Sequence, residues 1–242
     1  MKTKPNLLTE QNAKTAKGAA LGWRTLILYL APGSLAGGGN CCPAASAVCL
    51  AACLYTAGRG RFTPVQEARI RKTREFWGDP KGFVERLASE ISRAEQRAHR
   101  KGEKLAIRLN GTSDLPWERL GGEEGFSLPG RFPRVVFYDY TKVAARMRSY
   151  LAGRLPANYS LTFSRNEKNG EESDRFVDSG GSVAAVFGIP RGADLPETYR
   201  GREVVDGDLH DLRFLDPAGA VVGLRAKGDA IRDESGFVLR DW

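Results

Sequence analysis

The sequence predicts an α/β protein whose strands form a complete or partial parallel (β/α) barrel. From Lys104 onward, short apolar runs recur at intervals of roughly 25 residues, each followed by polar residues and a helix-like piece. Together with the apolar run Thr25–Leu30, they predict about seven strands. Strands that alternate with helices are typical of a parallel sheet. An open doubly wound sheet is the alternative, but no G-x-G-x-x-G motif opens a helix after the first strand.

Length and composition indicate a globular protein with its own core. The chain has 242 residues, of which 27% are charged, and no apolar run approaches the length of a membrane span. We therefore expect no membrane partner. The four cysteines lie close together in sequence, with none elsewhere to pair with, which fits a reducing cytoplasm better than a disulfide framework.

The charge balance is basic, with 37 lysines and arginines against 29 acidic residues and a net charge of +8. Such a charge permits a polyanionic partner such as nucleic acid, and a basic solvated surface is the alternative. Residues 1–22 are predicted to form a flexible basic N-terminal arm, although a nucleic-acid-binding tail is also open. Residues 23–242 are predicted to form a single barrel-like domain.

The stretch from Thr25 to Arg61 contains all four cysteines and organises the prediction. A continuous apolar run is followed by a glycine-rich loop at residues 37–39, where backbone could approach a ligand closely. Pro43 suits the first position of a helix. Cys42 would then lie near the helix N-cap, where the macrodipole lowers the pKa of a thiol and favours thiolate.

Three of these cysteines have a spacing that favours metal binding. The pattern is C-x6-C-x3-C at Cys42, Cys49 and Cys53. Three thiolates suit an iron–sulfur cluster with one open iron, whereas zinc would need a fourth ligand from His99 or His210. Two alternatives stay open, namely thiols that act as small hydrophobic core residues and redox or disulfide chemistry.

Two helices are expected after this stretch. Thr63-Pro64-Val65-Gln66 is a strong helix start, with Thr63 at the cap and Gln66 closing a capping box, and the helix should run to about Trp77. Its basic residues are expected to face solvent, although they could touch phosphates; they are Arg69, Arg71, Lys72 and Arg74. Asp79-Pro80 begins another helix, which carries apolar residues at helical spacing on the face expected to pack inward. These residues are Phe83, Leu87, Ile91, Ala94 and Ala98.

Polar residues follow each predicted strand, and in a parallel barrel these strand ends share one mouth. They could therefore build an active site. The residues are Asn110, Thr112, Ser113, Asp114, Asp139, Thr141, Lys142, Ser164, Arg165, Asp206 and Asp208.

Each of these groups also has a plain structural interpretation. The Asn110–Asp114 stretch could simply end a strand in a turn. Asp206 and Asp208 could bind a cation, hold a cationic substrate or cap a helix. Lys142 and Arg165 could hold an anion or form surface ion pairs.

The chain resembles the gene product eighty-eight family of phages and mobile elements. The resemblance extends from about Lys14 to Phe237 and implies a viral or mobile-element setting in a bacterial host cell. It implies no particular activity. Stretches that carry it are YLAPGSLAGGGNCCPAASAVCLAACLYTAGRG, VQEARIRKTREF, AIRLNGTSDLPWE, VVFYDYTKV, YSLTFSRNE and DGDLHDLRFLDPAGAVVGLRAKG.

The cysteine loop after the first strand also resembles that of radical S-adenosylmethionine enzymes, which usually have C-x3-C-x2-C in place of C-x6-C-x3-C. This resemblance implies a [4Fe–4S] cluster on Cys42, Cys49 and Cys53. It implies that the strand end containing Asn110, Thr112, Ser113 and Asp114 holds the methionine part of S-adenosylmethionine. The substrate would be held by catalytic residues from the later strand ends, namely Asp139, Lys142, Arg165, Asp206 and Asp208.

Two functions follow from these observations. The first is an iron–sulfur, radical-S-adenosylmethionine-like barrel enzyme of the host cytoplasm that modifies a nucleotide or nucleic acid. The alternative is a non-catalytic nucleic-acid-binding protein stabilised by structural zinc or buried thiols, whose binding should weaken steeply with salt. A small protein that binds a host factor is a third class, and no residue pattern discriminates it.

Overall fold

The structure, a computed structural model, describes residues 5–10, 13–121 and 127–242, with backbone only for residues 13–15. Ten strands form one sheet. They are β1 (Leu8–Thr9), β2 (Trp23–Leu28), β3 (Lys104–Arg108), β4 (Val136–Thr141), β5 (Tyr159–Ser164), β6 (Val183–Phe187), β7 (Thr198–Tyr199), β8 (Arg202–Asp206), β9 (Val221–Arg225) and β10 (Val238–Leu239). The helices are α1 (Ala13–Ala19), α2 (Ala47–Ala51), α3 (Thr63–Gly78), α4 (Pro80–Lys101), α5 (Ala144–Leu151) and α6 (Gly170–Asp178).

The strand order in the sheet is β1-β2-β3-β4-β5-β6-β9-β8-β7. All pairs from β2 to β8 are parallel, and the short strands β1 and β7 pair antiparallel at the two ends. Strand β10 pairs in parallel with the last residues of β6. The predicted α/β class is therefore confirmed. Within the described ranges no pairing joins β1 to β7, so the sheet has two free ends.

The long helices α3 and α4 form where the sequence predicts them. The capping box predicted for α3 is wrong, because Phe62 rather than Thr63 occupies the N-cap and no side chain caps the helix. Helix α4 has Asp79 at its N-cap, with Pro80 in its first turn, and ends at Gly102, which has a left-handed φ of 67°. All five residues of its predicted inward face are buried. They pack on the side of the sheet that carries Leu105 and Ile107, which we call the helical face. No helix in the described part of the chain is long and apolar enough to cross a membrane.

The opposite side of the sheet, which we call the inner face, is covered in part by the segment Leu209–Asp216. Leu212 packs against Ala106 of β3 and Tyr138 of β4, and Phe214 stacks edge-on against Tyr138 with ring centroids 5.5 Å apart. Arg108 forms a buried ion pair with Asp211 at 3.1 Å. Through these contacts the segment closes the inner face around the middle of β3 and β4.

Part of the predicted flexible arm is docked onto the domain. Leu7 is fully buried, and Leu8 and Thr9 form strand β1. The Glu90 carboxylate accepts hydrogen bonds from the Leu7 amide at 2.9 Å and the Leu8 amide at 3.0 Å. A buried carboxylate and a sheet edge therefore hold these residues of the predicted arm on the domain. Residues 1–4 and 11–12 of the predicted arm lie outside the described residues, and the division into an arm and one domain stays a prediction.

Replacing Glu90 with glutamine should weaken this docking. One carboxylate oxygen accepts from both amides and the other accepts from the Leu7 amide only. Glutamine replaces one oxygen with an NH2 group, which opposes the Leu7 N–H as a second donor and removes the charge from the remaining hydrogen bonds, at a cost of about 1–3 kcal/mol. Urea denaturation measures the loss, and faster exchange of the Leu7 and Leu8 amides would place it at the arm. The control is Glu67→Gln on the exposed side of α3, and equal effects of the two substitutions would contradict the argument.

Candidate functional site: a basic cluster at the carboxyl ends of the strands

Four side chains lie near the carboxyl ends of β2 and β4. Tyr29 directly follows β2, Lys142 directly follows β4, and Arg69 extends from α3 to the rings of Tyr29 and Tyr55. The Arg69 guanidinium lies 4.8 Å from the centre of the Tyr29 ring and 5.4 Å from that of Tyr55. We call Tyr29, Tyr55, Arg69 and Lys142 the basic cluster.

Arg69 is the unusual member of this cluster. Only 7% of the residue is exposed, and its Nε and Nη1 atoms have no hydrogen-bond partner among the described residues. Burial lowers the pKa of its guanidinium, and the groups that raise it are Tyr29, Cys53 and Tyr55 rather than a carboxylate. Burying a cation without a counter-charge costs free energy, so an anion bound beside Arg69 would stabilise its guanidinium.

Lys142 supplies a second cation. Its ammonium donates a hydrogen bond to the Ser164 hydroxyl and lies 5.6 Å from the centre of the Phe237 ring. Both Lys142 and Arg69 lower the pKa of the Cys53 thiol against the larger effect of burial, which raises it. The two cations therefore act on one small region beside Cys53.

Arg108 differs from these two cations because it has a partner. Its guanidinium pairs with Asp211, lies 4.5 Å from the centre of the Tyr140 ring and is fully enclosed. The Tyr138 hydroxyl donates to the same carboxylate at 3.3 Å. The Arg108–Asp211 ion pair carries no net charge. It lies on the inner face near Arg69, which has no acidic partner among the described residues.

The cysteine segment is mostly loop, and its helix is shorter than predicted. Helix α2 begins at Ala47, and the Ser46 hydroxyl accepts a hydrogen bond from the Cys49 amide at 3.0 Å. The prediction that Pro43 begins the helix with Cys42 at the N-cap is wrong, because Ser46 supplies the capping oxygen. Cys42 has no helix terminus to stabilise a thiolate.

Apolar packing surrounds most of these thiols. Cys41 is buried in the main core and Cys42 packs against it, while Cys49 packs against a C-terminal cluster of Ala230, Phe237 and Val238. Burial raises the pKa of Cys41 to about 11 and that of Cys42 to about 12, and it also raises the pKa of Cys53. These three thiols are therefore protonated near pH 7.

The prediction of an iron–sulfur, metal-binding protein is corrected by this packing. In the portions that the structure describes, no three His, Cys, Asp or Glu side chains are grouped so that they could hold a metal ion. Cys42 packs against the main core, whereas Cys49 packs against the C-terminal cluster, so the two thiols face different surroundings. For the same reason, the described residues provide no place for an open iron to which S-adenosylmethionine could bind as predicted. The iron–sulfur cluster and S-adenosylmethionine are therefore not part of the proposed function.

The residues predicted to hold that cofactor form a network among themselves. The Asn110 amide donates to the Asp139 carboxylate at 2.6 Å, and the Asn110 side-chain oxygen accepts from the Ser113 hydroxyl at 2.8 Å. The Thr112 hydroxyl donates to the Leu30 carbonyl at 2.6 Å. Asp114 pairs with Arg146. Their polar atoms thus stabilise the loop after β3, and a cofactor role for them stays a prediction.

The predicted catalytic residues do not share one location. Asp139 is fully buried on the helical face, whereas Lys142 lies in the basic cluster. Asp206 pairs with Arg225 at 3.0 Å, and Asp208 pairs with Arg225 and Lys227. Since both acidic groups are neutralised by neighbouring cations, they form an ion-pair group after β8 and β9.

Arg165 contacts the same two segments as Lys142. Its Nη1 atom donates to the Gly236 carbonyl at 2.8 Å, whereas Lys142 lies by the ring of the next residue, Phe237, and donates to Ser164, the residue before Arg165. Arg165 also lines a cavity of about 200 Å³, together with Ser173 of α6 and Tyr199 of β7. A shared role of Lys142 and Arg165 in holding a substrate stays a prediction.

The sequence was compared with known protein families, curated proteins and solved structures. The family model Gene product 88 matches residues 5–241. The chain belongs to the Gene product 88 family. No curated protein and no solved structure matches it. The predicted family of this Gene product 88 chain is thus confirmed, and the resemblance to radical S-adenosylmethionine enzymes stays unconfirmed.

Arg69 is the candidate site residue of this Gene product 88 chain whose burial the sequence prediction missed. The basic residues of α3 are predicted to face solvent, yet Arg69, Thr73 and Phe76 are buried. Their spacing of four and then three residues places them on one helix face. This spacing, with Phe76 as its apolar member, is the signal that identifies the inward side of α3.

Proposed function

We propose that the protein binds a phosphate-bearing ligand, a nucleotide or a nucleic acid, at the basic cluster. The observation that carries this proposal is the buried, unpaired guanidinium of Arg69. Arginine donates two parallel hydrogen bonds to phosphate, and such charge-assisted bonds are about twice as strong as neutral ones. A phosphate would supply both the missing charge and the missing acceptors.

The surroundings of Arg69 support an anion rather than another cation or an apolar ligand. Lys142 is close enough to act on the same thiol, and its ammonium has a hydroxyl as its hydrogen-bond partner. The net charge of +8 adds a long-range attraction for polyanions. Binding is therefore proposed without a metal ion or a thiolate.

We further propose that the sheet is a partial barrel and that the protein acts in the cytoplasm of a bacterial host cell. Strands β2 to β6 are parallel and lie in sequence order, which favours a singly wound, curved sheet over a doubly wound one. The four cysteines are free thiols, which is typical of a reducing compartment.

Replacing Arg69 with methionine tests the binding proposal. Titration calorimetry with ATP should show affinity lowered at least tenfold, because a charge-assisted hydrogen bond contributes about 1.5–3 kcal/mol. The same substitution should raise the melting temperature of the free protein, because it removes a buried charge without a counter-charge. Arg69→Lys should keep part of the affinity.

The control is Arg71→Met, which removes an exposed cation from the same helix. It should change ATP affinity by less than about threefold, since exposed charges contribute little. A purely structural Arg69, held by its two tyrosines, would instead make Arg69→Met less stable and leave ATP binding unchanged. Either that result, or wild-type protein that binds neither ATP nor an oligonucleotide, would refute the proposal.

A further inference from the structure

The turn before α3 sits directly against Arg69. This turn is the 3-10 helix Gly58–Arg61, and Phe62 follows it at the helix N-cap. A Cβ atom at Gly60 would lie 3.3 Å from Arg69 Nη1 and 2.7 Å from the Leu54 carbonyl oxygen, so glycine allows the chain to pass this close. The residues on either side of Gly60 therefore form the rim next to the buried guanidinium.

This rim exposes an aromatic ring and two cations. Phe62 is 56% exposed. Arg59 and Arg61 are both exposed, and neither forms an ion pair within the described ranges. An exposed ring that follows two exposed arginines in the same turn combines a stacking surface with charges that attract phosphate.

We infer that the phosphate-bearing ligand is a single-stranded nucleic acid, with one base stacked on Phe62 and its backbone held by Arg59, Arg61 and Arg69. This inference rests on the proposed function and names the ligand class. Every base has a flat face that can stack on an aromatic ring, so contact with Phe62 needs no particular sequence. A duplex hides those faces inside its own stack, whereas a single strand presents them.

The α3 N-terminus supports the same occupant. No side chain caps it, and it lies at Phe62 with its positive dipole end toward the rim. Together with Arg59 and Arg61 it gives a positive edge that continues from the surface to Arg69. A chain of phosphates follows such an edge, whereas a mononucleotide reaches only one part of it.

Fluorescence anisotropy with a labelled 12-nucleotide oligo-dT or oligo-U strand tests this inference. Phe62→Ala should weaken binding of the strand roughly tenfold, because one stacked base contributes about 1–3 kcal/mol. Phe62→Trp should restore it. A 12-base-pair duplex should bind more weakly than the single strand.

Control variants separate the rim from general surface effects. Leu21→Ala removes another exposed apolar side chain, 49% exposed and located just before β2, at the opposite end of the strands. Arg97→Ala with Arg100→Ala removes two exposed charges from α4. Arg59→Ala with Arg61→Ala should weaken single-strand binding and flatten its salt dependence more than either control.

The outcomes distinguish this inference from the function on which it rests. If ATP binds through Arg69 while the strand binds no better than ATP, or the duplex binds as well as the strand, the single-strand inference fails and the proposed function stands. Loss of single-strand affinity in Phe62→Ala, with rescue by tryptophan, supports both. If neither ATP nor either strand binds the wild-type protein, both fail.

Discussion

Replacing Arg146 with methionine should destabilise the protein by about 3–5 kcal/mol, because it leaves buried carboxylates without their counter-charge. Arg146 pairs with Asp114 and, at 2.9 Å, with Glu118, and its own side chain is only 4% exposed. It also donates to the Tyr159 hydroxyl at 2.9 Å. This single guanidinium joins the loop after β3 to helix α5 and strand β5.

The same helix provides the control. Arg148 pairs with Glu172 at the surface, where its side chain is 59% exposed. Arg148→Met should cost less than about 1 kcal/mol in the free energy of unfolding, as exposed ion pairs do. Urea denaturation of both variants at one pH measures the difference. If Arg146→Met were as stable as Arg148→Met, the buried network would not stabilise the fold.

Stability should also fall as the pH rises through the range in which Asp139 loses its proton. Burial raises the pKa of this carboxyl from 3.8 to about 7, against hydrogen bonds from Tyr159 and Asn110 that lower it. Between these two values the native state keeps a proton that the unfolded chain has released. The stability that this proton provides is fully present below pH 3.8 and is lost as the pH rises toward about 7.

Asp139→Asn should remove this contribution. In that window a single group changes the free energy of unfolding by up to about 1.4 kcal/mol per pH unit, so the wild type should lose stability relative to the variant as the pH rises from 4 toward 7. The variant should be less stable at low pH. The Asn110 side-chain NH2 group donates to the Asp139 carboxyl at 3.2 Å, and an asparagine NH2 group at that position would oppose it with a second donor.

Asp194→Asn, which changes an exposed carboxyl, serves as the control and should keep the wild-type pH profile. Urea denaturation at several pH values measures all three proteins. Parallel profiles for wild type and Asp139→Asn would show that the carboxyl titrates alike in the folded and unfolded states, contrary to this prediction.

The regular features of the fold follow from local pattern. The apolar spacing in α4, its Asp79-Pro80 start and its Gly102 end are visible in the sequence, and the structure has each of them. Strands β1, β7 and β10 contain two residues each, which is too short for any alternation of apolar and polar residues to appear. Only tertiary pairing identifies them.

The site was harder to predict because the face of the sheet on which a side chain lies depends on where its strand ends. An error of a few residues in that end changes the predicted position of the side chain. The sequence predicts that β4 ends at Tyr138, so Asp139 and Lys142 both appear to follow it. The strand extends to Thr141, which places Asp139 inside it and on the helical face. Since side chains alternate across a sheet, residues from one predicted strand end divide between two environments.

The cysteines show a different limit of sequence reasoning. Their spacing is compatible with a cluster, but the same small, weakly polar side chains fill gaps between apolar residues equally well. Which outcome occurs depends on Phe237 and Val238, which pack against Cys49 from nearly 190 positions later in the chain. No local pattern near Cys49 contains that information.

The segment Leu209–Asp216 limits the side from which a ligand could reach Arg69. Among the described residues, Leu212, Phe214 and the Arg108–Asp211 pair close the inner face below the basic cluster. A single strand bound as proposed would therefore not pass through this face. It would reach Arg69 from the Phe62 side and leave on the same side, so that movement along the strand would require release and rebinding.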